Sequence, residues 1–350
     1  VRLVAGSLRE AGYRVLAKKT GTSPRIILEN GTEEEIKRRG SANIIEQRYF
    51  IQKAVQRNVN AVVIECMAVH PETQWVSEHQ LIKSTIGVIT NVREDDQDVY
   101  GPDLQNAADA LKLTIPKNGQ LITTEKKFFS TFRKHAEKLN TKCILTDPEK
   151  INTKELDRNS ENFYFKDNVA ISLQIGRLLG INKETILRGI SKANPDPGAL
   201  TIYQLEQDNK QLWFVNAFAA NDRQSILLIW KKINNLLPKK MKDATRIAIF
   251  NHRDDRITRT IQFDKILAKD LYFNYIMLAG PTSTLSERKL LQFGYPTKQI
   301  YIINKKETIS EVMNKISQLV KNNGIIYGLG NTRGFGIKIM EFVKKKGEKI

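Results

Sequence analysis

Cysteine is scarce in this 350-residue sequence: only Cys66 and Cys143 occur, too few for a disulfide framework and without the paired spacing of a structural zinc site. A reducing, cytoplasmic compartment fits that usage. No apolar run approaches the roughly 18 to 20 residues needed to cross a bilayer, and the chain does not open with the basic, apolar and small-residue stretches of a secretory signal. Histidine is rare as well. His70, His79, His135 and His252 form neither an H-E-x-x-H pattern nor a Cys/His ligand spacing. There is no G-x-S-x-G elbow and no G-x-x-x-x-G-K-[ST] phosphate loop. Acid is the scarcer charge, with 38 Asp+Glu against 56 Lys+Arg for a net +18. That excess suits an anionic partner, whether nucleic acid, an anionic membrane surface, nucleotide phosphates or an acidic polymer. Compositional drift toward Lys, Ile and Asn, with no partner attached, explains it equally well.

What is present is an ordinary globular composition, with 41% hydrophobic residues, 20 Gly and 10 Pro, in a chain long enough for two domains with cores of their own. Short β-branched apolar runs alternate with longer stretches of helical period, the pattern of parallel strands joined by crossover helices, so the class is α/β. Strands are expected at 61–64, 86–90, 120–123 and 143–146, with helices at 2–11, 106–113 and 168–179, the last ended by Gly180. At Asn194-Pro195-Asp196-Pro197-Gly198 two prolines and a glycine interrupt both helix and strand, which divides the chain into domains 1–198 and 199–350. The alternation then restarts, with strands expected at 200–205, 212–216, 246–250, 275–279, 299–303 and 324–327. The run Lys344-Lys345-Lys346 reads as a solvated helix end.

Open parallel sheets bind ligands outside the carboxyl ends of their strands, so the residues just after each apolar run are the informative ones. Glu65 follows Ala61-Val62-Val63-Ile64, where a carboxylate requires a cation, hydrogen-bond donors or solvent; an N-cap or a salt bridge is the plain alternative. Glu94, Asp95, Asp96 and Asp98 follow Thr90-Asn91-Val92 and suit a hard cation such as magnesium, or else form a solvated acidic loop. Arg253, Arg256 and Arg259, within Asn251-His252-Arg253-Asp254-Asp255-Arg256 and beyond, suit a phosphate or carboxylate, or pair with Asp254 and Asp255. The glycines of Gly328-Leu329-Gly330-Asn331-Thr332-Arg333-Gly334-Phe335-Gly336 allow close backbone approach to a phosphate; a tight turn needs them almost as much. Together these positions point to a magnesium and phosphate site between two α/β domains.

Taken in order, the motifs resemble the Mur ligase superfamily, and within it the poly-γ-glutamate synthase ligase subunit. Thr20-Gly21-Thr22, Glu65-Cys66-Met67-Ala68-Val69, Thr90-Asn91-Val92 through Asp98 and Gly101, and Asp167-Asn168 are similar to its central-domain motifs. Pro195-Asp196-Pro197-Gly198-Ala199, Asn216 through Asn221-Asp222, the Arg253, Arg256 and Arg259 segment, and Gly328 to Asn331 are similar to those of its C-terminal domain. The resemblance implies a central P-loop-type parallel-sheet domain lacking its first strand and a smaller Rossmann-like C-terminal domain. It also implies an ATP-dependent carboxylate-amine ligase, in which the carboxylate of a growing chain is phosphorylated and the amine of an incoming glutamate attacks the acyl phosphate.

By that resemblance Glu65 and Asp96 would hold Mg²⁺, and Thr22, Asn168, Asn221, Asp222, Gly328 and Gly330 would contact ATP. Arg253, Arg256 and Arg259 would stabilise phosphate or substrate carboxylate as charge moves. Asp96 stands where the family has histidine, and an oxygen ligand still serves magnesium. Glutamate and poly-γ-glutamate are the implied substrates and small membrane subunits the implied partners, at the cytoplasmic face of a bacterial membrane, with a homo-oligomer also possible. A strand and a G-x-x-G-K-[ST] loop are expected ahead of Val1, so these 350 residues alone are expected to bind ATP weakly or not at all. Nucleic acid is not expected, because Trp213, Phe214 and Phe218 read as core instead of as an exposed stacking surface. The competing readings are an inactive fragment, a non-catalytic basic module that binds an acidic polymer, and a dinucleotide enzyme. The last ranks lowest, since the glycine run lies at the final strand and not in a first βαβ unit.

Overall fold

The computed structural model describes residues 1–21, 24–38, 42–93, 97–101, 103–151, 165–195, 200–220, 222–254 and 257–350, and they form two compact units, Val1–Pro197 and Gly198–Ile350. Each is α/β. Among the described residues no helix is long and apolar enough to cross a membrane.

The first unit opens with helix α1 (Arg2–Glu10) and a sheet ordered β3-β2-β1-β4, built from β1 (Val15–Lys19), β2 (Arg25–Ile27), β3 (Glu33–Glu35) and β4 (Ala61–Ile64). Strands β1 and β4 run parallel, while β2 and β3 fold back antiparallel. Helix α2 (Ile45–Gln56) precedes β4, and α3 (Pro71–Val76) follows it, continuing as a wider π turn over Ser77–Ile82. A second, wholly parallel sheet takes β5 (Ile86–Ile89), β6 (Gln120–Thr123) and β7 (Lys142–Leu145), connected through α4 (Gln97–Tyr100), α5 (Leu104–Leu111) and α6 (Phe129–Lys138). Helices α7 (Lys166–Leu178) and α8 (Lys183–Lys192) close the unit; Gly180, just after α7, has φ +71°, the left-handed stop expected of a glycine there.

Helix α1 touches both sheets. Val4 packs beside Ala61 and Val63 of β4 in one apolar cluster and beside Ile86 and Ile122 of β5 and β6 in another. It also crosses α8 at a point where neither helix has room for a side chain. A Cβ on Gly6 would lie 2.4 Å from the carbonyl oxygen of Gly189, and one on Gly189 would lie 2.4 Å from Cα of Ser7. Small residues at 6 and 189 therefore set the distance between the helices, and Ser7 Oγ donates across it to the Ile186 carbonyl at 3.2 Å.

The second unit is a seven-stranded sheet ordered β12-β11-β10-β13-β9-β8-β14. Its strands are β8 (Thr201–Gln207), β9 (Lys210–Asn216), β10 (Thr245–Asn251), β11 (Tyr275–Ala279), β12 (Ile300–Ile302), β13 (Asn323–Gly330) and β14 (Glu348–Lys349). The run from β12 to β9 is parallel, and β8 and β14 extend it antiparallel. Strands β8 and β9 reach further than their apolar cores suggest because a two-residue turn joins them. Asp208 and Asn209 both have positive φ, 51° and 60°, as a hairpin turn that matches strand twist demands. Helices α9 (Arg223–Leu236), α10 (Ile257–Lys269), α11 (Ser283–Gln292), α12 (Ile309–Leu319) and α13 (Phe335–Lys346) connect the rest.

An apolar core of this unit joins Phe214, Phe218, Ile247, Ile249, Met277 and Ile326 of the sheet region to Val312 and Ile316 of α12 and Ile339 and Val343 of α13. Burial of each such side chain contributes on the order of 1.5 to 3 kcal/mol. Trp213, Phe214 and Phe218 are buried, as their sequence context suggested. Lys344, Lys345 and Lys346 are exposed in the last turn of α13, where positive charge offsets the negative end of the helix dipole.

Charge is unevenly divided between the units. The second carries 26 Lys+Arg against 13 Asp+Glu, or +13, and the first 30 against 25, or +5. The excess of basic residues is therefore chiefly a property of the second unit.

Candidate active site

In the first unit, chemistry gathers at the carboxyl ends of β1 and β4. Glu65 is the first residue past β4 and is half-buried. Parallel pairing continues one step beyond the strand, with the Glu65 amide donating to the Lys18 carbonyl at 3.0 Å. The Thr20 amide donates to Glu65 Oε2 at 2.7 Å, which fixes the carboxylate against the chain leaving β1. Gln47, on α2, donates its Nε2 to the Glu65 carbonyl at 3.3 Å.

Under this corner lies Lys18, only 1% exposed. Its Nζ donates to Gln47 Oε1 at 2.9 Å and lies 3.4 Å from Glu46 Oε2. Arg38 completes the cluster with two hydrogen bonds to Glu46, at 2.7 and 3.0 Å. Burial pulls the Lys18 ammonium below its ordinary pKa, against the opposing pull of Glu46 and Glu65. Burial likewise pushes the Glu46 carboxyl up, but the Arg38 hydrogen bonds and charge, with Lys18, outweigh it and hold Glu46 below the usual carboxylate range.

The loop after Glu65 is tied down from the other side. Gln74, buried on α3, donates Nε2 to the carbonyls of Ala68 and Val69 at 3.3 and 3.1 Å and to the Tyr100 hydroxyl at 2.8 Å. The Tyr100 hydroxyl in turn donates to the Val69 carbonyl at 2.5 Å. Tyr100 ends α4, so the Glu65 loop is bonded to the helix that follows the acidic segment. Of that segment, Asp98 is exposed on α4, whereas Glu94, Asp95 and Asp96 lie outside the described residues, as does Thr22. Asn168 stands exposed in the first turn of α7, and its carbonyl accepts from Ser172 Oγ at 2.8 Å.

Magnesium usually keeps several waters and takes one or two protein carboxylates together with substrate phosphates. A single half-buried carboxylate, oriented by a backbone amide at a strand end, fits that mode of binding. It does not fit a cage made of protein ligands alone, and among the described residues no group of three His, Cys, Asp or Glu could hold a metal.

In the second unit the corresponding corner is the carboxyl end of the neighbouring strands β10, β13 and β9, where Asn251 pairs with Gly330, and Gly328 with Asn216. This pairing brings the arginine segment and the glycine segment together. Asn251, 3% exposed, joins them. Its Nδ2 donates to the carbonyls of Asn331 and Arg333 at 2.6 and 2.8 Å, and its own carbonyl accepts from the Asn331 amide at 2.9 Å. Arg253 and Arg259 are half-buried, the first beyond β10 and the second in the first turn of α10; Arg256 lies outside the described residues. His252 is buried, and its Nδ1 donates to the Ala279 carbonyl at 2.8 Å. Burial pushes its pKa down to about 4, so the imidazole is neutral at physiological pH.

Two expectations change in detail. The sequence pattern ends the strand at Tyr327 and starts the glycine segment at Gly328, but β13 continues through Gly330 and the loop starts at Asn331. The glycines also have internal causes. A Cβ on Gly328 would lie 2.5 Å from the Phe218 ring, and Gly330 combines φ +88° with a would-be Cβ 2.5 Å from the Asn251 carbonyl oxygen. Asp222 caps α9, accepting from the Ser225 amide at 2.8 Å and from its hydroxyl at 2.5 Å. Asn221 lies outside the described residues. Sequence reasoning missed Lys18, Gln47 and Gln74, which carried no signal, and named Asn251 only as the polar residue that opens the arginine segment at the end of an apolar strand.

Comparison with known proteins covers the whole chain. Residues 202–346 match the family described as the poly-gamma-glutamate synthase CapB C-terminal domain. The capsule biosynthesis protein CapB of Bacillus anthracis is 36% identical over 347 residues, which is 99% of this chain and 74% of that protein. Among solved structures, the bifunctional folylpolyglutamate synthase/dihydrofolate synthase of Yersinia pestis, complexed with AMPPNP and Mn ion, is similar with a TM-score of 0.69 at 13% identity. That match covers 98% of this chain and 85% of the other. MurF from Acinetobacter baumannii is similar with a TM-score of 0.63 at 11% identity, over 98% of this chain and 72% of the other.

Proposed function

The chain belongs to the poly-γ-glutamate synthase CapB family, and from that premise we propose that it is an ATP-dependent acid–amino acid ligase that joins glutamate through γ-linked amide bonds. The reaction has two steps. A carboxylate oxygen of the growing chain attacks the γ-phosphorus of ATP and ADP departs. The amine of an incoming glutamate then attacks the acyl carbon, phosphate leaves, and the amine gives up a proton. Family membership supports the class of reaction; the observation that carries the site is Glu65, held by the Thr20 amide at the end of a parallel strand.

In this reading Glu65 holds Mg²⁺, with Asp96 as a second ligand, and the metal supplies charge screening between phosphate and the anionic acceptor. The mode of binding is the one the single oriented carboxylate fits. Arg253, Arg256 and Arg259 bind the carboxylate or phosphate oxygens on which negative charge accumulates. Thr22, Asn168, Asn221, Asp222, Gly328 and Gly330 are the proposed contacts of ATP. Asp222 fixes the start of α9, and Gly330 lets the backbone pass close to Asn251. The +13 of the second unit favours a substrate and product rich in carboxylates. Small membrane subunits are the proposed partners, at the cytoplasmic face of the membrane, and self-association is compatible with this arrangement.

The test is glutamate-dependent release of ADP by the complete protein, with the product analysed by mass spectrometry. The reading predicts Mg²⁺-dependent turnover with γ-linked glutamate oligomers, and loss of both in Glu65→Gln with folding unchanged. Full metal-dependent ligation by Glu65→Gln would remove Glu65 from the site.

A further inference from the structure

Among the described residues of the first unit, no charged side chain is as deeply buried as Lys18. Its place is costly. An ammonium inside a protein loses its hydration, and replacing a buried ion pair with well-packed apolar groups is often neutral or favourable for stability. Its neighbours in β1, Val15, Leu16 and Ala17, are fully buried and apolar, so an apolar residue at position 18 would continue the strand without that cost. Stability by itself therefore gives no reason for a lysine, and what the lysine touches gives one.

Lys18 and Gln47 hold Glu65 from both sides of its backbone. The Lys18 carbonyl accepts from the Glu65 amide at 3.0 Å, and Gln47 Nε2 donates to the Glu65 carbonyl at 3.3 Å. Gln47 can present that donor only while its side chain is oriented, and Lys18 Nζ orients it by donating to Oε1 at 2.9 Å. Glu46, on the same helix, keeps the ammonium in place at 3.4 Å and is itself held by Arg38. Thr20, two residues beyond Lys18, then fixes the carboxylate through its amide. Each of these hydrogen bonds to Glu65 itself thus leads back to Lys18 or to the chain beside it.

We propose that Lys18 and Gln47 are positioning residues for Glu65, which clamp its backbone so that the carboxylate is offered to a divalent cation in one orientation. This rests on the reading of Glu65 as a metal ligand. Groups that orient a ligating carboxylate typically change metal affinity by about 10- to 100-fold when removed, so a measurable loss of affinity is expected without loss of the site.

The experiment measures Mn²⁺ binding to the complete protein in the presence of ADP, from the electron paramagnetic resonance signal of free Mn²⁺, alongside metal-free thermal unfolding. The proteins compared are wild type, Glu65→Gln, Lys18→Met and Gln47→Glu. Gln47→Glu keeps an acceptor for Lys18 and removes the donor to the Glu65 carbonyl; the negative charge it adds would by itself tighten cation binding, so weaker binding reports the lost donor. The expected result is no binding at this site in Glu65→Gln, and a dissociation constant raised roughly tenfold in Lys18→Met and Gln47→Glu, with metal-free Tm within a few degrees of wild type. If Glu65→Gln abolishes binding while Lys18→Met and Gln47→Glu bind like wild type, the positioning role is refuted and Glu65 stands. If Glu65→Gln binds like wild type, the metal reading fails and this inference fails with it. Where Lys18→Met does not fold, the dissociation constant of Gln47→Glu decides alone.

Discussion

Asp264 makes a stability prediction with a defined sign and size. It lies on α10, the helix that carries Arg259 in its first turn, and is 0% exposed against α11. Ser286 Oγ donates to its Oδ1, while Oδ2 has no hydrogen-bond partner among the described residues. Burial raises the carboxyl to about 7, against smaller opposing effects of Ser286 and Lys289, from an ordinary value of 3.8. The folded state therefore keeps a proton that the unfolded chain loses near pH 4. The stabilisation is complete below the unfolded pKa and is lost as pH rises through the folded one. At 1.36 kcal/mol per pKa unit, stability falls by roughly 2 to 3 kcal/mol between pH 5 and pH 8 from this group alone. Asp264→Asn removes the titration and keeps an acceptor for Ser286. Its buried amide N–H groups add an offset that is the same at every pH. Urea unfolding of both proteins in a Trp75→Phe background at pH 5, 6, 7 and 8, followed by the fluorescence of Trp213 and Trp230 in the same unit, isolates the effect. The Asp264→Asn protein should gain on the wild type steadily across that range. A difference constant within about 0.5 kcal/mol, the scatter of neutral substitutions, would refute the assignment of a neutral buried carboxyl.

Two further outcomes follow from contacts already described. Gly189→Ala drives a Cβ into Ser7 and the Gly6 carbonyl at the α1–α8 crossing, so it should lower stability by about 1 to 3 kcal/mol, seen as a lower urea midpoint; an unchanged midpoint would mean the helices separate without cost. Asn251→Ala leaves two carbonyls without their donor. It should cost about 2 to 3 kcal/mol and speed amide hydrogen exchange over residues 331–336, and unchanged exchange there would show that Asn251 does not hold the glycine segment.

The sequence showed the fold best where apolar runs are uninterrupted. Strand β4 at 61–64, β6 at 120–123 and β11 at 275–279 have the expected bounds, and β5, β7, β10 and β12 differ by a residue or two at their ends. It concealed β1, because Lys18-Lys19 closes the apolar run Val15-Leu16-Ala17 after three residues and reads as the start of a loop. A lysine pointing inward is legible only once Gln47 and Glu46 are known to meet it. Strand β3 consists of three glutamates and is held by pairing with β2, so no hydrophobic pattern announces it. At the site, Glu65 and the arginines were legible because polar residues directly follow apolar runs. Asn251 was legible as a polar residue ending an apolar strand, but the carbonyls it holds lie 80 and 82 residues further on, while Gln74 bonds carbonyls of the loop just before its own helix, where no periodic pattern marks it. Gly330 was legible as a glycine that the backbone needs, but its partner, the Asn251 carbonyl, is set by strand order alone.

The transfer of an oxygen atom tests the central claim most directly. An acceptor whose terminal carboxylate carries oxygen-18 is supplied to the complete protein with ATP, Mg²⁺ and glutamate, and the released phosphate is weighed by mass spectrometry. Activation through an acyl phosphate requires one labelled oxygen in each phosphate formed with a new amide bond. Amide formation accompanied by unlabelled phosphate would contradict it.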